Sequence, residues 1–163
     1  MSLPDVVTTP RLRLPLVTEA EAAAMRSGPR DPSWHADYPR EDDLDAVGLV
    51  SDGNPWGPRH IVRTLDGIVF GSIGFFGPPT EVDGVPEVEV GYGLVEEARG
   101  RGVASEVLSA LLARLDALGV RVRAAVEPEN TASLHLLAKS GFTQLRGSDE
   151  EGNLVMVRPL PST

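Results

Sequence analysis

Polar and apolar residues alternate from Arg11 to Val17 (RLRLPLV), which predicts a first strand, with Pro15 placing it near a sheet edge. Thr18 stands three residues ahead of Glu21, a capping-box spacing, and the alanines around and after Glu21 predict a short helix. From Gly28 to Pro58 the pattern lapses into a segment rich in proline and glycine, with Trp34, Tyr38 and Trp56 scattered through it and a short acidic helix around Glu41 to Val50. Such a segment is either a cover over a site or an irregular surface excursion. Alternation resumes in a hairpin, His60 to Leu65 and Ile68 to Phe76 about the Asp66-Gly67 turn, followed by a strand from Glu87 to Val95. Val103, Val107, Leu108, Leu111, Leu112, Leu115 and Leu118 then repeat at helical spacing up to Gly119. A strand over Arg121 to Glu127, a helix over Thr131 to Ser140 and a hairpin of Phe142 to Leu145 with Leu154 to Leu160 complete the order. That order predicts one α/β domain around a mixed sheet.

A length of 163 residues suits one domain, and 41% hydrophobic residues suffice for a core without staples. The absence of cysteine removes thiol nucleophiles, disulfides and zinc ribbons together, and three widely spaced histidines argue against a metal site. No segment has the length of a membrane span and MSLPDVVTTPR has no apolar signal core, so a soluble cytoplasmic protein is expected. The net charge of −9 argues against nucleic-acid binding and suits a cationic or amine-bearing partner; solubility alone would also account for it.

The segment most informative about chemistry is Glu87 to Leu118. All six charged residues from Glu81 to Glu97 are acidic, and then Arg99 and Arg101 arrive flanked by Gly100 and Gly102, directly before a helix. A helix start exposes unpaired N–H groups, glycines let a ligand approach them, and arginines add charge, so the expected guest is a phosphate or pyrophosphate. The alternative is a turn that uses glycine for shape alone. Neither GxxxxGK[ST] nor GxGxxG is present, which sets nucleotide hydrolysis and hydride transfer aside.

Arg99-Gly100-Arg101-Gly102-Val103-Ala104 resembles the R/Q-x-x-G-x-G/A signature of the GNAT superfamily of N-acetyltransferases. Glu89-Val90-Gly91-Tyr92-Gly93-Leu94, Asn130-Thr131-Ala132-Ser133 and Lys139-Ser140-Gly141-Phe142 fall in that family's order and spacing. Thr9-Pro10-Arg11-Leu12-Arg13-Leu14 resembles the opening of the branch containing the ribosomal-protein N-terminal acetyltransferases. The likeness runs from about Thr9 to Leu160 and is weakest over 28–58, the irregular segment on the acceptor side.

The resemblance implies a single-domain GNAT fold with a mixed, mostly antiparallel central sheet flanked by helices. It implies acetyl-CoA as co-substrate and a primary amine as acceptor, borne by a protein N-terminus or a small molecule. By analogy the backbone of Arg99, Gly100, Arg101, Gly102, Val103 and Ala104 holds the pyrophosphate. The strand end at Tyr92, Leu94 and Val95 would splay from its neighbour to pair with the pantetheine arm, and the Leu94 N–H would polarise the thioester carbonyl. Asn130 and Ser133 match a second contact region, and Asn130 also suits a helix N-cap.

With no cysteine for an acyl-enzyme, direct attack by the amine is the economical route, which calls for a base and a proton for the departing thiolate. Glu89 lies where several family members carry a carboxylate base; its alternative is a solvated or ion-paired strand glutamate. Many members use a tyrosine as acid on the second long helix, and that position holds Leu137 here, with Tyr92 the nearest tyrosine in the matched segments. Trp34, Tyr38 and Trp56 either wall an acceptor pocket beside Asp37, Glu41, Asp42, Asp43 and Asp45 or anchor their loop to the core. His135 is expected to be a packed or surface residue. The exposed edge of the final hairpin is a candidate homodimer surface. The rival reading is a non-catalytic acyl-CoA-binding sensor or assembly module, for which Leu137 is the best argument.

Overall fold

Nine strands and four helices follow one another in a computed structural model that describes residues 2–162. They are β1 (Val6–Thr8), β2 (Leu12–Pro15), α1 (Glu19–Ser27), α2 (Glu41–Ala46), β3 (Arg59–Arg63), β4 (Val69–Phe75), β5 (Thr80–Val82), β6 (Val85–Leu94), α3 (Val103–Leu118), β7 (Arg121–Val126), α4 (Thr131–Lys139), β8 (Gln144–Ser148) and β9 (Leu154–Arg158). The strands form one sheet in the order β1-β2-β3-β4-β6-β7-β9-β8, with β5 paired to the start of β6. Every pairing is antiparallel except β6 with β7. This is the mixed, mostly antiparallel sheet that the order of elements and the family resemblance imply.

Local chemistry sets the boundaries. Thr18 Oγ1 accepts from the Glu21 N–H at 3.1 Å while the Glu21 carboxylate accepts from the Thr18 N–H at 3.0 Å, so α1 begins at its capping box. The apolar face of α3 is buried from Val103 to Leu115, and Gly119 ends the helix at φ 71°, a left-handed conformation that costs glycine little. The last hairpin begins later than the apolar pattern suggests. Gly141 (φ 96°) turns the chain so that the Phe142 N–H caps α4 on Leu137 C=O at 2.9 Å, and the Phe142 ring enters the core, leaving β8 to start at Gln144. All five residues of β8 are exposed, and it forms one outer edge of the sheet. β1, which pairs with β2, forms the other, one strand beyond Pro15.

The feature that makes a site is a change of partner along β6. Residues Glu87, Val88 and Glu89 pair in parallel with Arg121, Val122 and Arg123 of β7. From Val90 to Leu94 the strand pairs only with β4, while β7 continues from Ala124 to Val126 alongside β9. The sheet therefore splits between β6 and β7. Among the described residues no helix is long and apolar enough to cross a membrane.

Candidate active site

The cleft between β6 and β7 has a free backbone edge, and the hydrogen-bond parity says which groups line it. Val95 N–H donates to Phe70 C=O at 2.9 Å, and Phe76 N–H donates to Glu89 C=O at 3.0 Å. Bonded and non-bonded pairs alternate along an antiparallel ladder, so the odd-numbered residues of β6 bond to β4. The N–H and C=O groups of Tyr92 and Leu94 point the other way, into the split. Arg99 Nε donates to Leu94 C=O at 3.2 Å and closes one end of that edge. Val95 corrects the sequence expectation. Its N–H is used by Phe70, its C=O accepts from Ala98 at 3.0 Å and its side chain is buried, so it has nothing to offer a ligand.

Beyond Leu94 a short 3-10 turn, Glu96–Ala98, leads into the arginine–glycine loop. Gly100 (φ 74°) and Gly102 (φ 76°) both take left-handed backbone, and Gly102 is the N-cap of α3 with no side chain capping it. The first amides of the helix, including those of Val103 and Ala104, therefore lack intrahelical partners, and Arg99 and Arg101 are exposed beside them. The loop has the form an anion needs, with glycines where bulk would block approach and positive charge where it would bind.

On the other wall, Asn130 accepts from the Ser133 N–H at 3.1 Å and caps α4, the structural role foreseen for it. The Ser133 hydroxyl then meets the Tyr92 hydroxyl at 3.0 Å across the cleft. Burial raises the pKa of Tyr92 and the bond to Ser133 offsets this only in part, so the phenol keeps its proton at neutral pH. Leu137, one turn further along α4, is buried in the core. A cavity of about 520 Å³ opens here, lined by Tyr92, Ala124, Asn130 and Ser133, with Asp149 and Glu151 of the β8–β9 turn at its rim.

Glu89 lies on the opposite face of β6 from Tyr92, since side chains alternate along a strand. Its carboxylate is about one-quarter exposed and accepts from Arg123 Nε at 3.1 Å. Arg123 Nη1 reaches Glu87 at 2.8 Å, and the fully buried Glu87 also accepts from Arg121 (2.6 Å) and Arg146 (2.7 Å). Burial works against the Glu87 carboxylate, but the three guanidiniums outweigh it and lower its pKa to about 2. Sequence reasoning missed this brace. The signal was present, because Glu-Val-Glu and Arg-Val-Arg are complementary period-two patterns that parallel pairing sets side by side.

A second cavity, about 470 Å³, lies under α2. Asp43 is buried, paired with Arg40 at 2.9 Å and bonded by the Ser72 hydroxyl. The Arg40 guanidinium lies directly on Gly93, where a Cβ would come within 2.6 Å of Nη1. Asp42, Asp45, Phe75 and Phe76 line the rest, and the two cavities share Phe76, Gly91 and Tyr92. The aromatics of the irregular segment do not wall this pocket. Tyr38 is fully buried against Trp34 (6.3 Å between centroids) and bonded to His60 at 2.9 Å, and Trp56 packs on Phe75 at 5.5 Å, so they anchor the segment to the core. His135 is exposed.

A half-open strand edge, a glycine loop at a helix start and a cleft between two parallel strands define an acyl-transfer fold. Residues 11–143 match the family model of the acetyltransferase (GNAT) domain, and the chain belongs to that family. A Bordetella pertussis protein classed with the GnaT-family acetyltransferases has a solved structure that superposes with a TM-score of 0.63 at 27% identity, covering 96% of this chain and 100% of that one. The ribosomal-protein-S5-alanine acetyltransferase of Vibrio fischeri shares the fold at a TM-score of 0.65 and 15% identity, covering 96% and 97% of the two chains. A Salmonella typhimurium protein described as an acetyltransferase, solved with its cofactor acetyl-CoA, matches 66% of each chain at 23% identity and a TM-score of 0.51. No curated protein matches the sequence significantly. The chain is a GNAT acetyltransferase, and acetyl-CoA is the donor on which this family acts.

Proposed function

We propose that this enzyme moves the acetyl group of acetyl-CoA directly onto a primary amine, carried by a protein N-terminus or a small molecule, with the base and the acid on opposite faces of β6. The observation that carries the reading is the free edge at Tyr92 and Leu94, with Glu89 on one side of the strand and the Tyr92 hydroxyl on the other. Acetyl-CoA supplies an activated acyl carbon and a thiolate leaving group. The backbone of Tyr92 and Leu94 would pair with the extended pantetheine. The amides of Gly100 to Ala104 would take the diphosphate, while Arg99, whose N–H is already held by Glu96 C=O at 3.1 Å, would contribute its charge and not its amide. The Leu94 N–H would face the thioester oxygen as it gains charge.

Glu89 would take the proton that the amine nitrogen loses when its C–N bond forms, directly or through water, with Arg123 fixing the direction of the carboxylate. Tyr92 would deliver a proton to the sulfur when the C–S bond breaks, and Ser133 orients its hydroxyl. The acids of α2 and of the β8–β9 turn favour a cationic acceptor.

Release of free thiol from acetyl-CoA across a panel of peptide N-termini, polyamines and amino acids tests the reading. One amine class should support release, and Glu89→Gln should lower kcat by about 100-fold while acetyl-CoA affinity holds. Acetyl-CoA binding with no release for any amine would favour the sensor reading.

A further inference from the structure

The Thr9-Pro10-Arg11 motif takes no part in the chemistry above, yet the structure brings it from the far edge of the sheet to the start of α3. Arg11 Nε donates to Glu106 at 2.7 Å, the Arg11 N–H donates to the same carboxylate at 3.1 Å, and the Thr9 hydroxyl bonds it as well. Both Nη groups of Arg11 donate to the Arg101 carbonyl at 3.2 Å. Each contact bears on the loop expected to hold the diphosphate.

Glu106 is the acidic residue in the first turn of α3, and a carboxylate there is drawn to the same unpaired amides and the same positive helix end that an external anion would use. Burial opposes its ionisation, but Thr9 and Arg11 outweigh that and hold its pKa below the ordinary value. They also hold it against the β1–β2 turn. The grip on the Arg101 carbonyl has a second consequence. In a planar trans peptide C=O and N–H point oppositely, so fixing that carbonyl towards Arg11 fixes the Gly102 N–H away from it.

We propose that Arg11, with Thr9, is a positioning residue for the acetyl-CoA diphosphate, sequestering Glu106 and orienting the Arg101–Gly102 peptide so that the amides at the start of α3 stay free for the ligand. This rests on the assignment of that loop to the diphosphate. Arg11 need not touch the ligand; it acts through Glu106 and the peptide.

The test compares acetyl-CoA with acetyl-pantetheine, which lacks the diphosphate, by amide NMR titration of the full chain. Arg11→Ala should weaken acetyl-CoA by about tenfold and leave acetyl-pantetheine within about twofold of wild type. Adding Glu106→Gln to Arg11→Ala should recover about threefold, because the competing charge is gone. Arg11→Lys, which keeps the charge but cannot span carbonyl and carboxylate together, should fall between wild type and Arg11→Ala. Equal weakening of both ligands would mean a general loss of structure and overturn the proposal. So would unchanged acetyl-CoA affinity, or failure of Glu106→Gln to recover any of it. If wild type binds acetyl-pantetheine but gains nothing from the nucleotide diphosphate, the loop assignment itself falls.

Discussion

In the proposed mechanism the proton donor is a strand residue, Tyr92, and not a residue of α4, where position 137 is leucine. Leu137 is buried in the core, while Tyr92 reaches across the cleft to Ser133 on the same helix. Because burial keeps the phenol protonated, Tyr92→Phe should cost the enzyme its proton donor and little else. We expect kcat to fall by about tenfold to 100-fold, at the low end of general-acid effects because a thiolate leaves readily, with acetyl-CoA affinity within about twofold of wild type. Steady-state kinetics with a responsive amine reads this directly; unchanged kcat would remove Tyr92 from proton transfer. At this scale the sequence marked Glu89, Tyr92, Asn130 and the arginine–glycine loop, because each lies in a motif with fixed spacing. It did not mark Arg123, Arg40 or Phe76, whose roles depend on contacts between strands and helices far apart in the chain.

At the scale of elements, the acidic helix α2 is too short to hold its place alone, and the Arg40–Asp43–Ser72 clip fastens it over β6. Gly93 is what lets Arg40 lie on the strand. Gly93→Ala should push the guanidinium off Asp43 and leave a buried carboxylate poorly compensated. A loss of about 2 kcal/mol in stability by urea unfolding is expected, with a raised KM for the amine and a smaller change for acetyl-CoA. Full stability and an unchanged amine KM in that variant would show that the clip does not position α2. The long helix and the main strands were legible because their apolar periods run for several turns or pleats. β1 and β5, three residues each, offer no period to read. The split in the sheet was legible only through the family resemblance, since nothing in the β6 pattern alone says that β7 will leave with β9.

Across the whole molecule, charge is sorted by place, with acids at α2 and the β8–β9 turn, arginines at the loop before α3, and a buried carboxylate hub where β5, β6, β7 and β8 meet. Glu87 is that hub, and its pKa is lowered from 4.5 to about 2 by guanidiniums that outweigh its burial. Glu21 is lowered to a similar value by its bond from His60. A carboxylate with a depressed folded-state pKa stabilises fully above its unfolded value and loses that contribution as pH falls. Stability should therefore be flat on this account above pH of about 4.5 and decline steadily towards pH 2. Glu87→Gln should cost about 3 kcal/mol at neutral pH and flatten the acid decline, as denaturant unfolding at a series of pH values would show. An unchanged acid profile would deny Glu87 its place as hub.

In the proposed function the free edge of β6 and the start of α3 receive acetyl-CoA. Amide hydrogen exchange with and without acetyl-CoA tests it without knowledge of the acceptor. Slowed exchange is expected at Tyr92, Leu94 and the amides from Arg101 to Ala104, with Val95, already bonded to Phe70, little changed. Protection confined to other elements, or none at saturating acetyl-CoA, would contradict it.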